Sequence, residues 1–428
     1  MPDWLRPILD GWHADPRRSL KRAAGAAVLL WLGWQIVVTT AAHSDADTDP
    51  EAALGWRPAE AEALVRLAER RLADMAAQDD LSAVDDLATR ALLAAPDAIA
   101  PLSLLALTAE RRGEDGRAAA LMRLAERRSL RQPVVEAWLF DRAVAAGDIA
   151  GALGRADVLL RTSAPDLRER VRTTLIGVAS DAKAAPLLVR QLAGDPPWRA
   201  QFLAAFFADP ASLQAAPVLI AAMAATDRPL TDSERNAYLT ALVARGLFDT
   251  AYGAWVDSFA GGDVPYLYNG GFEAPASGSP FDWTLADARI AEVAITASPP
   301  PATGNALRVE FADRRVAASL ASELLVLPPG DYRLSAKAKA ERLVNDRGLW
   351  WRVSCADGDR AVLAETDRIV GTLDWRPLEA RFTIPESCHA EWLRLELAAR
   401  VAVEEQVSGT AWFDDLAVSR LDPAVPSE

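Results

Sequence analysis

The sequence predicts a multidomain α + β protein with an N-terminal transmembrane helix, an α-helical array and a C-terminal antiparallel β-sandwich. An uncharged apolar run comes first, helical periodicity follows, and alternation of apolar and polar residues replaces it after Pro265. We expect a cytoplasmic tail at 1–22, a transmembrane helix at 23–42, a linker at 43–58, the array at 59–262, the sandwich at 264–422 and a tail at 423–428.

Composition and motifs exclude several classes of function. The 428 residues are 51% hydrophobic and 25% charged, which is typical of globular domains. The net charge of −14 argues against a nucleic-acid partner, because binding to phosphates needs a surplus of Lys and Arg. We predict no enzyme, since of His13, His43 and His389 only the last lies in the predicted folded domains, and no nucleophile or metal motif is present. Glu404 and Glu405 form a carboxylate pair, but on a loop-like charged stretch.

The N-terminal apolar run predicts the compartment. From Ala23 to Ala42 the chain reads "AAGAAVLLWLGWQIVVTTAA", which has the length of a bilayer-spanning helix. The basic stretch "PRRSLKR" precedes it and no basic residue follows until Arg57, so the positive-inside rule places the rest of the chain outside the cytoplasm. We therefore predict one pass through a bacterial inner membrane with periplasmic C-terminal domains. A cleaved signal peptide is the alternative.

A 34-residue period marks the helical array. "ERRGEDGRAAALMRLA" begins its turn at Gly113, and "VAAGDIAGALGRADVL" begins the equivalent turn at Gly147, 34 residues later. Ala118 and Ala152 each follow five residues after the glycine. This pattern resembles tetratricopeptide repeats, although the large aromatic residue usual in the first helix is missing or displaced. The resemblance implies stacked helix pairs whose concave groove binds envelope proteins.

Beyond the segment "APDLRERVRTTL" the period is hard to follow, although helix pairs continue. Trp198, Phe202 and Phe206 follow one another at four-residue spacing after two prolines. Such a stripe predicts a buried helix face.

The C-terminal third has the pattern of a β-sandwich of about eight to ten short strands. Its motifs run in the order "NGGFE", Trp283, "GNALRVEF", "LPPGDYRLSAKAK", "WRPLEARFTIP" and "GTAWFDDLAV". This order resembles the jelly-roll carbohydrate-binding modules of the galactose-binding-like superfamily, over about residues 264–422. The resemblance implies a glycan-binding domain whose first and last strands lie together.

The resemblance also implies a structural calcium ion and no other cofactor. Its carboxylate ligands would be Glu273 from "NGGFE" and Asp414 or Asp415 from "FDD". The alternative is that Asn269 and Glu273 only satisfy turn backbone while Asp414 faces solvent.

A sugar site needs flat aromatic faces with polar groups around them. Alternation turns Leu393, Leu395 and Leu397 inward, which leaves Trp392 and Arg394 outward. The same reasoning places Lys337 outside and gives a basic-leaning surface that suits an anionic polysaccharide or another envelope glycan. From the candidates Trp350, Trp351, Trp375 and Trp392, the predicted site consists of Trp350, Trp375, Trp392, Arg394 and Lys337. Alternatively, these tryptophans close the sandwich and seat it on the array; Trp283 and Trp412 are assigned to the core.

The two cysteines predict a disulfide. Cys355 ends the strand "LWWRVSC", and Cys388 lies just before the strand that carries the three leucines. Two such strand ends can approach within disulfide distance, and an exported domain would be oxidised. Two unrelated buried thiols are the alternative.

Together these patterns favour a membrane-anchored periplasmic scaffold whose helical array binds proteins and whose jelly roll binds a glycan, in the assembly or export of a surface polysaccharide. The alternative is a pure protein–protein adaptor of the cell envelope.

Overall fold

A computed structural model describes residues 16–74, 80–129, 132–259, 264–287, 289–316 and 319–421. Within these ranges fifteen α-helices come first and ten strands follow in two antiparallel sheets, so the predicted α + β order is confirmed. The chain divides into two compact units, Met1–Leu175 and Ile176–Glu428. The last helices therefore belong to the same unit as the sandwich.

The described helices are short except for the first. They are α1 (Pro16–Asp45), α2 (Pro50–Trp56), α3 (Ala61–Asp74), α4 (Ser82–Ala94), α5 (Ala100–Arg111), α6 (Asp115–Arg128), α7 (Pro133–Ala145), α8 (Ile149–Thr162), α9 (Pro165–Ser180), α10 (Ala185–Ala193), α11 (Arg199–Ala208), α12 (Pro210–Leu213), α13 (Ala216–Ala224), α14 (Asp232–Val243) and α15 (Phe248–Val256).

Helix α1 is long and apolar enough to cross a membrane over Ala23–Asp45, and a signal sequence would have the same length and composition. Its apolar side chains are exposed, as Leu30 shows at 76%. The predicted linker 43–58 is partly helical, because α2 lies within it. Pro50 occupies the first turn of α2, and the Asp49 side chain caps it by accepting from the Ala52 amide at 3.1 Å.

The 34-residue period corresponds to a repeated turn. Gly113 and Gly147 both have positive φ, at 76° and 73°. In both turns the amide after the glycine donates to the carbonyl four residues before the glycine, at 2.9 Å. Ala118 and Ala152, in the helices that follow, are both buried. The two helix pairs are thus equivalent, whereas membership of the tetratricopeptide family stays a prediction.

The predicted aromatic stripe lies in the core of the second unit. Trp198, Phe202 and Phe206 are all buried, and successive rings are 6.1 and 6.0 Å apart. The helical part continues into the sandwich through further aromatic contacts. The Phe281 ring lies 5.4 Å from Tyr252 and 5.5 Å from Trp255, both on α15. The opening stretch of the sandwich is therefore packed against the last helix.

Two five-stranded sheets form the sandwich. The first sheet has the order β1 (Thr284–Leu285), β4 (Ala321–Leu325), β9 (Glu391–Leu397), β6 (Leu349–Cys355) and β7 (Val362–Glu365). The second sheet has the order β2 (Glu292–Ala297), β3 (Asn305–Arg315), β10 (Gln406–Arg420), β5 (Gly330–Val344) and β8 (Gly371–Ile384). A 3-10 helix (Ala402–Glu405) precedes β10.

Alternation decides which side chains enter the core. On β5 and β9 the predicted inward residues are buried and belong to one core cluster: Tyr332, Leu334, Ala336, Ala338, Leu393, Leu395 and Leu397. Trp283 is fully buried as predicted. The assignment of Trp412 to the core is wrong, because Ala411 and Phe413 take the inward positions of β10 and leave Trp412 half-buried on the outer face.

Both ends of the sandwich domain meet, and the predicted disulfide is present. Gly270 of "NGGFE" accepts from the Leu416 amide at 2.9 Å. A side chain at Gly270 would collide with the Leu416 carbonyl, which explains the glycine. Cys355 and Cys388 are disulfide-bonded with a Cα–Cα distance of 5.7 Å.

Candidate functional site

The predicted sugar-binding residues fall on opposite sides of the sandwich. Trp350, Trp392 and Arg394 alternate with core residues of β6 and β9, so they lie on the outer face of the first sheet. Lys337 and Trp375 lie on the outer face of the second sheet, where both line one depression. The sequence therefore identified outward residues, while the structure groups them into two separate surfaces.

A depression of about 450 Å³ opens on the outer face of the second sheet. It brings together five residues singled out from the sequence with five others. Its lining consists of Glu273, Pro301, Ala302, Thr303, Lys337, Trp375, Arg376, Pro377, Asp414 and Asp415.

Trp375 forms a fixed aromatic wall of the depression. The pairing of β5 with β8 shifts register between Ala338 and Ala340, opposite the segment that holds this residue. The indole N–H donates to the Pro299 carbonyl at 3.2 Å, which ties the ring to the loop between β2 and β3. The side chain is half-buried. Its orientation is thus set before any ligand arrives.

An ion pair lies on the floor. Lys337 Nζ is 2.7 Å from Asp415 Oδ2, and both side chains are more than half exposed. The hydrogen bond that Lys337 donates to Asp415 raises the pKa of Lys337, and the attraction of that carboxylate adds to the effect. Asp415 has a positive φ of 51° where β10 shifts register after Asp414. This bulge turns two consecutive carboxylates toward the same depression.

Asp414 is buried at 7% exposure. It accepts from the Asp415 amide at 2.7 Å and from Ser298 Oγ at 3.5 Å. Burial raises its pKa, and although the amide hydrogen bond lowers it, the charges of Asp415 and Glu273 raise it again. Negative charge at this end of the depression is therefore only partly neutralised.

The donor chemistry at this end suits a calcium ion held by Glu273 and Asp414. Carboxylate oxygens are the ligands that calcium prefers, and a cation would stabilise the charged form of Asp414, whose pKa is raised first by burial and then by the charges of Asp415 and Glu273. Glu273 accepts from the Asn305 amide at 3.2 Å, and Asp415 already pairs with Lys337. Glu273 and Asp414 are therefore the better ligands of the three predicted carboxylates, and calcium binding stays a prediction.

On the first sheet, Arg394 lies over the Trp392 ring with Cζ 4.8 Å from the centroid. Its cross-strand partner is Arg352, which pairs with Glu365 at 2.9 Å and Glu396 at 3.1 Å. Burial lowers the pKa of Arg394, Glu396 raises it, and neighbouring arginines lower it further. Among the described residues, no side chain forms a hydrogen bond or ion pair with its guanidinium.

Trp350 does not present an open ring. It is 7% exposed, and the guanidinium carbons of Arg352 and Arg368 each lie 4.8 Å from its centroid. Trp351 is buried in the core. Sequence reasoning missed Arg352 and Arg368; the signal available was alternation, which puts Arg352 on the same face as Trp350.

Sequence reasoning missed two residues with polar side chains in the depression, Thr303 and Arg376. Arg376 follows Trp375 directly and donates to the Arg368 carbonyl at 3.0 Å. Thr303 lies on the loop between β2 and β3. Only the packing of that loop beside β8 brings it into the depression, so no local pattern could have indicated it.

Neither a protein-family model nor a curated protein matches this chain. Among solved structures, the C-terminal β-sandwich is similar to carbohydrate-binding modules. A CBM4 module shares 18% identity with a TM-score of 0.28, covering 36% of this chain and 99% of that chain. TmCBM61 in complex with β-1,4-galactotriose shares 20% with a TM-score of 0.27, covering 37% and 100%. The CBM22-1 xylan-binding domain from Paenibacillus barcinonensis Xyn10C shares 15% with a TM-score of 0.26, covering 36% and 93%. At these values the similarity carries no argument about what this chain binds.

Proposed function

We propose that this chain is a membrane-anchored, glycan-binding scaffold of the bacterial envelope. The exposed apolar side chains of α1 support an inner-membrane anchor. The helical array binds a protein partner, and the sandwich holds a surface polysaccharide during its assembly or export. The disulfide supports a periplasmic location, because such bonds persist in oxidising compartments.

The observation that carries glycan binding is the Trp375 depression. Its volume of about 450 Å³ lies within the range of small-molecule sites. The half-buried indole offers an apolar platform to a pyranose ring, while Lys337 and Arg376 can donate to hydroxyl oxygens. Asp415 can accept from hydroxyl groups in turn. Because the depression carries both signs of charge, it suits a neutral, hydroxyl-rich saccharide.

An apolar groove supports a protein partner for the first unit. It has a volume of about 330 Å³ and is lined by residues of α5, α7 and α9. Val134 is 53% exposed in this groove beside Leu107 and Leu167. Such a surface suits the apolar residues of a peptide or helix. The same observation favours the alternative function, an adaptor whose sandwich binds no sugar.

The proposal includes no catalysis. Glu323 and Glu391 are the carboxyl groups whose pKa values burial raises most, to about 8 for Glu391. Both are enclosed in the sandwich, and neither lines the depression. The proposal does include a structural calcium ion at Glu273 and Asp414, which would fix the closing strand against the opening stretch.

Affinity electrophoresis of the detergent-solubilised full-length chain against a panel of neutral polysaccharides tests the glycan site. Trp375→Ala should weaken retention roughly 10- to 30-fold, since truncating an aromatic anchor removes most of its contact. Trp56→Ala on α2 is the matched control, because it makes the same change at an exposed tryptophan (46%) that does not line the depression. Equal retention of both variants would favour the adaptor.

A C-terminal phosphatase fusion tests the topology. The fusion should be active, because basic residues flank only the leading side of the apolar run. An inactive phosphatase together with an active cytoplasmic reporter at the same position would show that the anchor is oriented the other way.

A further inference from the structure

The outer face of the first sheet carries more guanidinium charge than it neutralises. Arg352 has two carboxylate partners there, Glu365 and Glu396. Arg360, Arg368 and Arg394 have no ion pair in the part of the chain that the structure describes. This concentration of unpaired cations stands out on a chain whose net charge is −14.

The arginines form one connected group. Arg352 and Arg394 are directly opposite each other on β6 and β9. Arg352 and Arg368 both lie over the Trp350 ring, and the charge of Arg360 acts on Arg394. Like charges directly opposite on neighbouring strands are unfavourable unless an anion lies between them. Glu365 and Glu396 offset part of this repulsion, and an anionic ligand would offset more of it.

Arg394 is the best placed of the four to bind such a ligand. Its guanidinium lies 4.8 Å above Trp392 and is half-buried, so fewer conformations are lost on binding than for an exposed arginine. None of its donors is used by another described side chain. A planar guanidinium matches a carboxylate through two parallel hydrogen bonds.

We propose that the outer face of the first sheet binds the carboxylate of an acidic saccharide, a uronic acid residue, through Arg394 with Trp392 beside it. Arg394 lies over one face of the half-buried Trp392 indole, and the part of the ring that stays exposed supplies the apolar contact that a pyranose ring uses and that a phosphate does not need. This site lies on the opposite side of the sandwich from the Trp375 depression and takes a different ligand class. It shares with the proposed function only that the ligand is a glycan, and either site can fail alone.

The experiment compares polygalacturonate with its fully methyl-esterified form, using the detergent-solubilised full-length chain in affinity electrophoresis. Wild type should bind the acid form at least about 10-fold more tightly than the ester, and added salt should weaken binding. Arg394→Gln should lose about 10-fold or more for the acid form. Arg117→Gln on α6 makes the same charge change and should bind as wild type. Trp375→Ala should keep its affinity for polygalacturonate.

Several results would overturn the proposal. Equal affinity for the acid and the ester would show that no carboxylate is recognised. Binding of polygalacturonate by Arg394→Gln with wild-type affinity would show that Arg394 does not contact the ligand. Binding of polyphosphate that is tighter than polygalacturonate and equally dependent on Arg394 would replace the saccharide with a phosphate ligand. If Arg394→Gln unfolds early, Arg360→Gln at an exposed position serves instead, with an expected loss of about threefold. Unchanged binding by that variant would also count against the site.

Discussion

Replacing Arg199 by Met should unfold the second unit at a much lower temperature. Arg199 is 3% exposed and makes two hydrogen bonds of 2.8 Å to the Glu234 carboxylate. It also donates to backbone carbonyls, including that of Pro229 at 2.8 Å. Glu234 closes the capping box of α14 with Thr231. Arg199 thus joins α11 to the start of α14.

The magnitude follows from leaving Glu234 as a buried charge without its partner. Breaking a buried pair in this way costs about 3–5 kcal/mol. For a unit of this size, each kcal/mol lowers the unfolding midpoint by about 2–4 °C, so the expected fall is roughly 6–20 °C. The assay is thermal unfolding of the detergent-solubilised full-length chain followed by tryptophan fluorescence, since the second unit contains most tryptophans.

The matched control is Arg235→Met on α14. Arg235 pairs with Asp232 at 3.5 Å, but both side chains are exposed, so its loss should cost about 0–1 kcal/mol. The double variant Arg199→Met with Glu234→Gln should recover part of the stability, because no charge is then stranded. If Arg199→Met and Arg235→Met shift the midpoint equally, the argument from burial fails.

Three other changes test separate features of the sandwich. Cys355→Ser or Cys388→Ser should destabilise the sandwich by about 3–4 kcal/mol, because the disulfide closes a loop with a sequence separation of 33. Unchanged unfolding midpoints of these variants, or two free thiols found by mass spectrometry of the wild type, would contradict this prediction. Burial raises the pKa of Glu391 from 4.5 to about 8, so the folded state binds this proton more tightly than the unfolded state does. The free energy of unfolding should therefore fall as the pH rises from 5 to 8. Glu391→Gln should flatten that fall in pH-dependent melts, and an equally steep curve for this variant would refute the prediction. Calcium added after EDTA should raise the thermal unfolding midpoint of the wild type and of Asp415→Asn, but not that of Asp414→Asn. An unchanged wild-type midpoint would show that no structural calcium ion binds.

Local pattern was sufficient to predict the order of helices and strands and the inward faces of two strands. A period of two predicted the inward residues of β5 and β9, and a glycine in each turn marked the repeated helix pair. The period of two gave the wrong orientation at Trp412, because Trp412 and Phe413 are adjacent aromatic residues and either could face the core. Phe413 takes the core position, and the pairing of β10 with β5 shifts register directly after it, between Asp414 and Ala417.

The grouping of the candidate residues depends on strand order, which no local pattern contains. Lys337 and Arg394 are both outward on their own strands, but β5 pairs with β10 and β8 whereas β9 pairs with β4 and β6. Long-range pairing therefore places them on opposite faces of the sandwich. The burial of Trp350, an outward residue, also depends on a long-range contact. Arg352 from the same strand and Arg368 from beyond β7 both lie over its ring. A predicted sugar site built from outward tryptophans alone thus merges two chemically different surfaces, one with mixed charge around the Trp375 indole and one with unpaired arginines.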